Sequence, residues 1–486
     1  MKIALVYPAL IPGVKPRYGL QPLGILYLAG KLKAAGHQVI TIDGEILGLT
    51  VKETVDAVMR AEPDLVGISL MTPQYPVGLE IAEEVKRRAP RIAVCAGGAH
   101  VNATLDETLR RCPSIDFLAC GEGEETLAEA AALLGRGEGL AGLPGVIARD
   151  GGEIRVNPTR PFIPDLDSLP FPDFTMLPLD RYRIPYLQGP PIASMMLSRG
   201  CPYRCAFCDA HVTQGKKLRT HSPAAVVREI GRCVRSLGIH DYAFKDSTFT
   251  LDRAWCLDLL ARLRAEKLAI RYRCNTRVDR IDGELLTALQ QSGCTIILFG
   301  VESGSQAILD RMQKHTTLAQ IREAFRLTAR AGIRTYASFM LGNPGETDAT
   351  ARETIALAKE INPDLVLFFY TTAYPGTQLY ADTLKEGLVT EDWWVKEKPE
   401  GSGYAVSKWL SGEGGKLRIP GFDVGPWIKR AYRAYYLRPR YALKVLKSLF
   451  TDPSYLKGLF QLLPSFIDFS RGKGSVPGSE SGDGEE

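Results

Sequence analysis

Two stretches of this chain alternate short apolar runs with helical segments, and a Pro-, Gly- and Asp-rich stretch separates them. In the first, apolar runs at 3–7, 38–42, 65–70, 92–96 and 117–120 are followed by helical segments at 22–35, 51–61, 77–88, 105–112 and 124–134. This alternation dictates a parallel sheet, because two strands running the same way need a crossover and a helix supplies it. Residues 1–140 are therefore expected to form a doubly wound α/β sheet with its ligand face at the carboxyl ends of the strands. The alternation restarts near residue 192, with strands at 195–198, 242–245, 271–275, 296–300, 335–341 and 365–371. Six strands with intervening helices fit a partial (β/α)6 barrel over 191–385, whose chemistry belongs at the strand C-termini. Residues 141–190, including Leu169-Pro170-Phe171-Pro172-Asp173, read as a linker. Residues 386–471 read as a helical C-terminal region and the Gly/Ser/Glu-rich 472–486 as a disordered tail.

Composition narrows the class of protein. With 486 residues the chain holds two or three full cores. A net charge of +5 is small for that size and points to no nucleic-acid partner. Met1-Lys2 runs straight into a strand rather than a signal peptide, and no uninterrupted apolar run is long enough to span a bilayer. A cytoplasmic chain is expected, and its cysteines are then reduced. Cys95, Cys112, Cys120, Cys233, Cys256, Cys274 and Cys294 sit singly in apolar or helical patterns and read as small buried hydrophobes.

The remaining three form Ser198-Arg199-Gly200-Cys201-Pro202-Tyr203-Arg204-Cys205-Ala206-Phe207-Cys208, just after the first barrel strand. Thiolates at this spacing can wrap three corners of a cubane iron–sulfur cluster and leave the fourth iron open to a small chelating molecule. A zinc site would need a fourth ligand, for which His211 is the local candidate. The motif and its position resemble the radical S-adenosylmethionine (SAM) superfamily over 192–380. The resemblance implies a [4Fe-4S] cluster on Cys201, Cys205 and Cys208, with SAM chelating the fourth iron. It places Phe207 beside the adenine, and Asp246 of Phe244-Lys245-Asp246-Ser247 near the methionine amino group. Only one acid of the family's usual pair is present there. Arg277 and Glu302 end strands and resemble groups that contact the cofactor's carboxylate or ribose. Gly342 and Gly345, in Gly342-Asn343-Pro344-Gly345, resemble the turn that approaches the adenine.

The first domain has its own pattern. Ser69 ends one strand, Gly97 and Gly98 follow the next, and Gly121-Glu122-Gly123 follows a third, so glycine-rich loops gather on one face. This resembles a Rossmann-like cobalamin-binding domain. Families in which a histidine ligates cobalt carry Asp-x-His-x-x-Gly, whereas Asp43-Gly44-Glu45-Ile46-Leu47-Gly48 has no histidine. Cobalamin without a protein histidine ligand is therefore implied, and His100 beside Gly97-Gly98 reads as structural. The tRNA methylthiotransferases do not fit, because Cys95, Cys112 and Cys120 lack the placement of their second cluster.

Between Trp427 and Phe469, aromatic residues alternate with Lys429, Arg430, Arg433, Arg438, Arg440, Lys444, Lys447 and Lys457. Such helices either cap a barrel or lie on an anionic membrane surface, giving a peripheral contact and access for a lipophilic or anionic substrate. The resemblance implies reductive cleavage of SAM and functionalisation of an unactivated carbon, with an electron donor such as flavodoxin or ferredoxin. Three functions remain open: cobalamin-dependent C-methylation, radical oxidative cyclisation or rearrangement of a tetrapyrrole or lipid-like substrate, and a non-catalytic cobalamin sensor.

Overall fold

The computed structural model describes residues 1–16, 18–184, 187, 189–396 and 415–451. Seven strands form the first sheet: β1 (Lys2–Tyr7), β2 (Gln38–Asp43), β3 (Leu65–Ser69), β4 (Ala93–Gly97), β5 (Phe117–Ala119), β6 (Val146–Asp150) and β7 (Glu153–Val156). Their order is β2-β1-β3-β4-β5-β6-β7, with the first five parallel. Period-two alternation divides β1 between two cores: Ile3 and Leu5 face one, Ala4 and Val6 the other. Both faces are covered by helices, so the central strands β1, β3 and β4 are apolar on both sides. The helix Val51–Ala61 illustrates local encoding. Thr50 caps it by accepting from the Glu53 amide, and Glu53 returns the bond in a capping box.

The sheet differs from the sequence expectation at its far edge. β6 and β7 are antiparallel and lie within the span read as linker. Gly151 and Gly152, at φ 59° and 93°, close this hairpin with the two-residue turn that matches strand twist. The rest of the connector is tied down. Phe174, Leu177, Tyr182 and Ile184 are buried, and Tyr182 donates to Asp43 Oδ2 at 2.6 Å.

The second sheet is all parallel. It contains β8 (Ile192–Met195), β11 (Asp241–Phe244), β12 (Arg271–Thr276), β13 (Cys294–Glu302), β14 (Arg334–Leu341) and β15 (Leu365–Tyr370), in the order β15-β14-β13-β12-β11-β8. An incomplete barrel exposes two strand edges, and side chains close both. Gln21 of the first domain donates to Ile192 O at 2.7 Å and accepts from Ser194 N at 2.9 Å along β8. At the other edge, Tyr432 accepts from Phe368 N at 3.1 Å and Tyr436 from Val366 N at 3.0 Å. Both tyrosines belong to the helix Val424–Tyr436, whose Trp427, Ile428, Ala431, Tyr432 and Tyr435 are buried. This part of the aromatic, basic segment is a barrel cap. The expected tail, and residues 397–414 and 452–471 of the expected helical region, lie outside the described residues. The larger hydrophobic core runs without a break from one face of the first sheet into the barrel.

Candidate active site

The three motif cysteines sit on a loop closed by a short antiparallel pair, β9 (Ser198–Arg199) and β10 (Arg219–Thr220). Gly200 turns the chain into this loop at φ 94°, where a Cβ would lie 2.1 Å from Lys217 O, so no other residue fits. Backbone bonds hold the loop: Cys201 N to Gly215 O at 3.1 Å, Ala206 N to Met312 O at 2.9 Å, and Cys208 N to Cys205 O at 3.1 Å. All three thiols are free and open into one cavity of about 290 Å³ at the C-terminal end of the barrel strands.

Among the described residues, no three His, Cys, Asp or Glu side chains converge as ligands of a single ion would. Three thiols around a shared cavity suit a cluster, whose irons occupy separate cube corners. Burial pushes the Cys208 thiol up to about 11, and raises Cys205 against the pull of nearby Lys314 and Arg277. Binding iron as thiolates would therefore release the protons of Cys205 and Cys208.

The cavity wall carries several expected residues. Phe207 lines it, with Lys314 Nζ 5.6 Å from its ring centroid. Glu302 also lines it and pairs with Lys314 at 2.9 Å, both side chains under 10% exposed. Burial opposes the charge on Lys314, yet Glu302 and Cys205 hold its ammonium above the usual lysine range. Glu302 has φ 70° at a register irregularity of β13, a conformation costly for a side-chain-bearing residue. Gly300 permits the turn: a Cβ there would meet Glu302 Oε1 at 2.3 Å. Arg277 forks onto Asp279 at 2.9 and 3.0 Å, lies over the Tyr203 ring at 3.7 Å, and brings Nη1 to 3.9 Å from Cys205 Sγ.

Other expected residues stand elsewhere. Asp246 is fully buried beneath the loop's entrance, where Oδ1 accepts from Ser198 Oγ at 2.6 Å and Leu197 N at 3.1 Å. Its neighbours Ser247 and Thr248 line the cavity, and Asp246 does not. Gly342 and Gly345 are also outside the lining, packed toward Val424 and Arg311.

Lys314 and Tyr203 were not singled out from sequence. Lys314 lies twelve residues past Glu302, on a turn where Gln313 and His315 both have positive φ, and only the fold joins it to Glu302.

A second cavity of about 430 Å³ lies at the carboxyl ends of β3, β4 and β5. Ser69, Gly97, Gly98, Gly121, Glu122 and Gly123 all line it. Its loops are cross-braced, since Asn102 donates to Gly121 O at 3.2 Å and accepts from Gly121 N at 2.7 Å. From the barrel side, Met196, Arg199, Asp209, Thr213 and Gln214 complete the wall. His100 does not reach this cavity. It is buried against Tyr75, with ring centroids 4.1 Å apart, and bonds Thr72 through Nδ1 at 3.2 Å. Burial lowers its pKa to about 3, so the ring is neutral.

Comparison with known proteins resolves what this pair of cavities belongs to. Residues 10–131 match the B12 binding domain and 195–358 the radical SAM superfamily. An uncharacterized methyltransferase of Pyrococcus horikoshii is 32% identical over 446 residues, covering 91% of this chain and 94% of that protein. The chain is a B12-binding radical SAM enzyme. Another relative, the anaerobic magnesium-protoporphyrin IX monomethyl ester cyclase of Rubrivivax gelatinosus, is 30% identical over 74% of this chain and 66% of its own length. In fold, this B12-binding radical SAM enzyme is similar to the methyltransferase TsrM of Kitasatospora setae. The TM-score is 0.68 at 21% identity, covering 90% of this chain and 89% of that one. The family implies a [4Fe-4S] cluster, SAM and cobalamin, which the thiol-lined cavity and the glycine-rich cavity are suited to receive.

Proposed function

We propose that the chain is a cobalamin-dependent radical SAM C-methyltransferase acting on a small substrate. The observation that carries this reading is that both cavities share one loop. Cys208 lines the thiol cavity and its neighbour Asp209 lines the glycine-rich one. Cysteines 201, 205 and 208 would hold the cluster, and the glycine-rich loops would receive the corrinoid without a histidine to cobalt. When bound, these groups supply one-electron cleavage of SAM, ending in 5′-deoxyadenosine, and a methyl group for the carbon that loses hydrogen.

The protein's own part is to bind, orient and exclude water. Phe207 offers an apolar face for the adenine, while Arg277 and the Glu302–Lys314 pair present fixed charge to the methionine end of SAM. Ser247, Thr248 and Asn275 add polar groups to the same wall. Gly342 and Gly345 shape the turn after β14, and Asp246 acts through Ser198 on the loop entrance. An external reductant of the flavodoxin or ferredoxin type supplies the electron. The exposed leucines 437, 443 and 446 beside Arg440 favour a peripheral contact with an anionic lipid surface. Among the described residues, no helix is long and apolar enough to cross a membrane.

Similarity to the protoporphyrin ester cyclase favours a second reading, oxidative cyclisation. One experiment separates the two. Reduced, cluster- and cobalamin-loaded enzyme is given methyl-labelled SAM and candidate substrates. Methylation yields label in a product heavier by one methyl group together with 5′-deoxyadenosine. Turnover that forms 5′-deoxyadenosine and leaves every product unlabelled rejects methylation in favour of cyclisation.

A further inference from the structure

Glu122 lines the corrinoid cavity, but its carboxylate is committed to protein partners. Oε1 accepts from Arg199 at 3.1 Å, and Oε2 from Arg219 at 2.7 Å and from Ile163 N at 2.7 Å. Glu124, two residues on, takes the other arm of Arg199 at 2.6 Å. Arg219 continues to Ile163 O at 2.7 Å and Gln214 O at 2.6 Å. The four side chains are only 5–8% exposed. Arg199 is also stacked over Tyr27 of the first domain, 4.9 Å from the ring centroid.

The placement of these charges matters more than their number. Arg199 and Arg219 pair directly across β9 and β10, the two strands that close the cysteine loop. Glu122 and Glu124 flank the start of the helix Gly123–Gly135 that follows β5, and Gly121 and Gly123 beside them line the corrinoid cavity. Both ends of the cysteine loop are thus pinned to one turn of the corrinoid cradle. Two cations and two anions balance, so the set carries no net charge toward either cavity. Buried ion pairs of this kind are weak sources of stability, because desolvation offsets attraction, but their fixed geometry can hold one element in register with another. Guanidinium suits that role, since its rigid planar fork holds two carboxylates in a fixed geometry, whereas lysine presents a point charge on a flexible stem.

We propose that Glu122, Glu124, Arg199 and Arg219 are positioning residues that couple the two cofactor cavities, so that filling the cysteine loop tightens corrinoid binding. Iron–sulfur loading orders residues 199–219, and the ion pairs transmit that order to 121–124. By linkage, corrinoid binding favours a loaded cysteine loop to the same extent. The proposal rests on the reading that both cavities hold their cofactors.

The test measures hydroxocobalamin affinity by its visible absorbance. The full-length chain is titrated before and after anaerobic reconstitution with iron and sulfide. Reconstitution is expected to tighten binding by roughly fivefold or more, the lower end of typical site-to-site coupling. In Glu122→Gln and Arg199→Lys that ratio is expected to fall to about one. Iron content should stay near that of the native chain, whereas thermal unfolding is expected at a lower temperature in Glu122→Gln, which leaves buried guanidinium charge uncompensated. Glu122→Gln keeps a hydrogen-bonding group against Ile163 and Arg219, so it carries the test if Arg199→Lys does not fold. A ratio of one in the native chain, or an unchanged ratio in the variants, overturns the coupling and leaves the corrinoid reading intact. No hydroxocobalamin binding in either state overturns both.

Discussion

At the scale of single residues, burial decides what each charged group can do. Asp246 has one carboxylate oxygen bonded and the other without a hydrogen-bond partner, and burial raises its pKa to about 6. Hydrogen bonds from Ser198 and Leu197 offset only part of that rise. An acid whose pKa is higher folded than unfolded favours the folded state while protonated. Its contribution is complete below about pH 4 and is lost as pH rises through about 6. Asp246→Asn should remove this loss. Relative to the native chain, the variant is expected to gain about 2 kcal/mol of stability between pH 4.5 and pH 7.5. Urea unfolding of both proteins at the two values checks it, and parallel pH dependence would refute it. Lys314 shows the opposite outcome of burial, because Glu302 and Cys205 keep it charged where an isolated lysine would lose its proton.

At the scale of elements, the open barrel is completed by side chains acting as strand substitutes. Tyr432 and Tyr436 each bond both the N–H and the C=O of one β15 residue, at distances of 2.8 to 3.4 Å. Tyr432→Phe leaves the fully buried Phe368 backbone without these bonds, which should cost about 1–3 kcal/mol. The half-buried Tyr436 site can admit water, so Tyr436→Phe should cost less. Denaturant unfolding gives both values, and hydrogen exchange at the Phe368 amide should accelerate in the first variant alone. A basic and aromatic segment thus serves edge protection, and its spacing of four residues between Tyr432 and Tyr436 matches alternate residues along β15.

At the scale of the molecule, the two sheets do not behave as independent beads. One core runs through both, Gln21 completes the β8 edge, and the Glu122 and Glu124 ion pairs reach the cysteine loop. A chain restricted to residues 191–451 loses all three supports. It is expected to unfold without the full-length cooperative transition and to be cleaved rapidly by protease, whereas the intact protein melts in one step. Separate, native-like melting of the fragment would show that the barrel is autonomous.

The alternation of strands and helices and the Cys201, Cys205 and Cys208 spacing were enough to reach the family and the fold class. Both signals are local: a crossover helix follows its strand, and three thiols of one loop need no distant partner. Glycine-rich loops after β3, β4 and β5 could be placed on one face for the same reason, since parallel strands bring their ends together. The hairpin at β6 and β7 was legible in Gly151-Gly152, yet the surrounding prolines masked it. Pairings across long sequence separations were decided only by tertiary structure. Lys314 meets Glu302, Arg199 meets Glu122, and Gln21 meets β8 because packing joins segments whose own patterns carry no trace of each other. Asp246 and Glu122 show the same principle, since a carboxylate's partners depend on what is buried beside it.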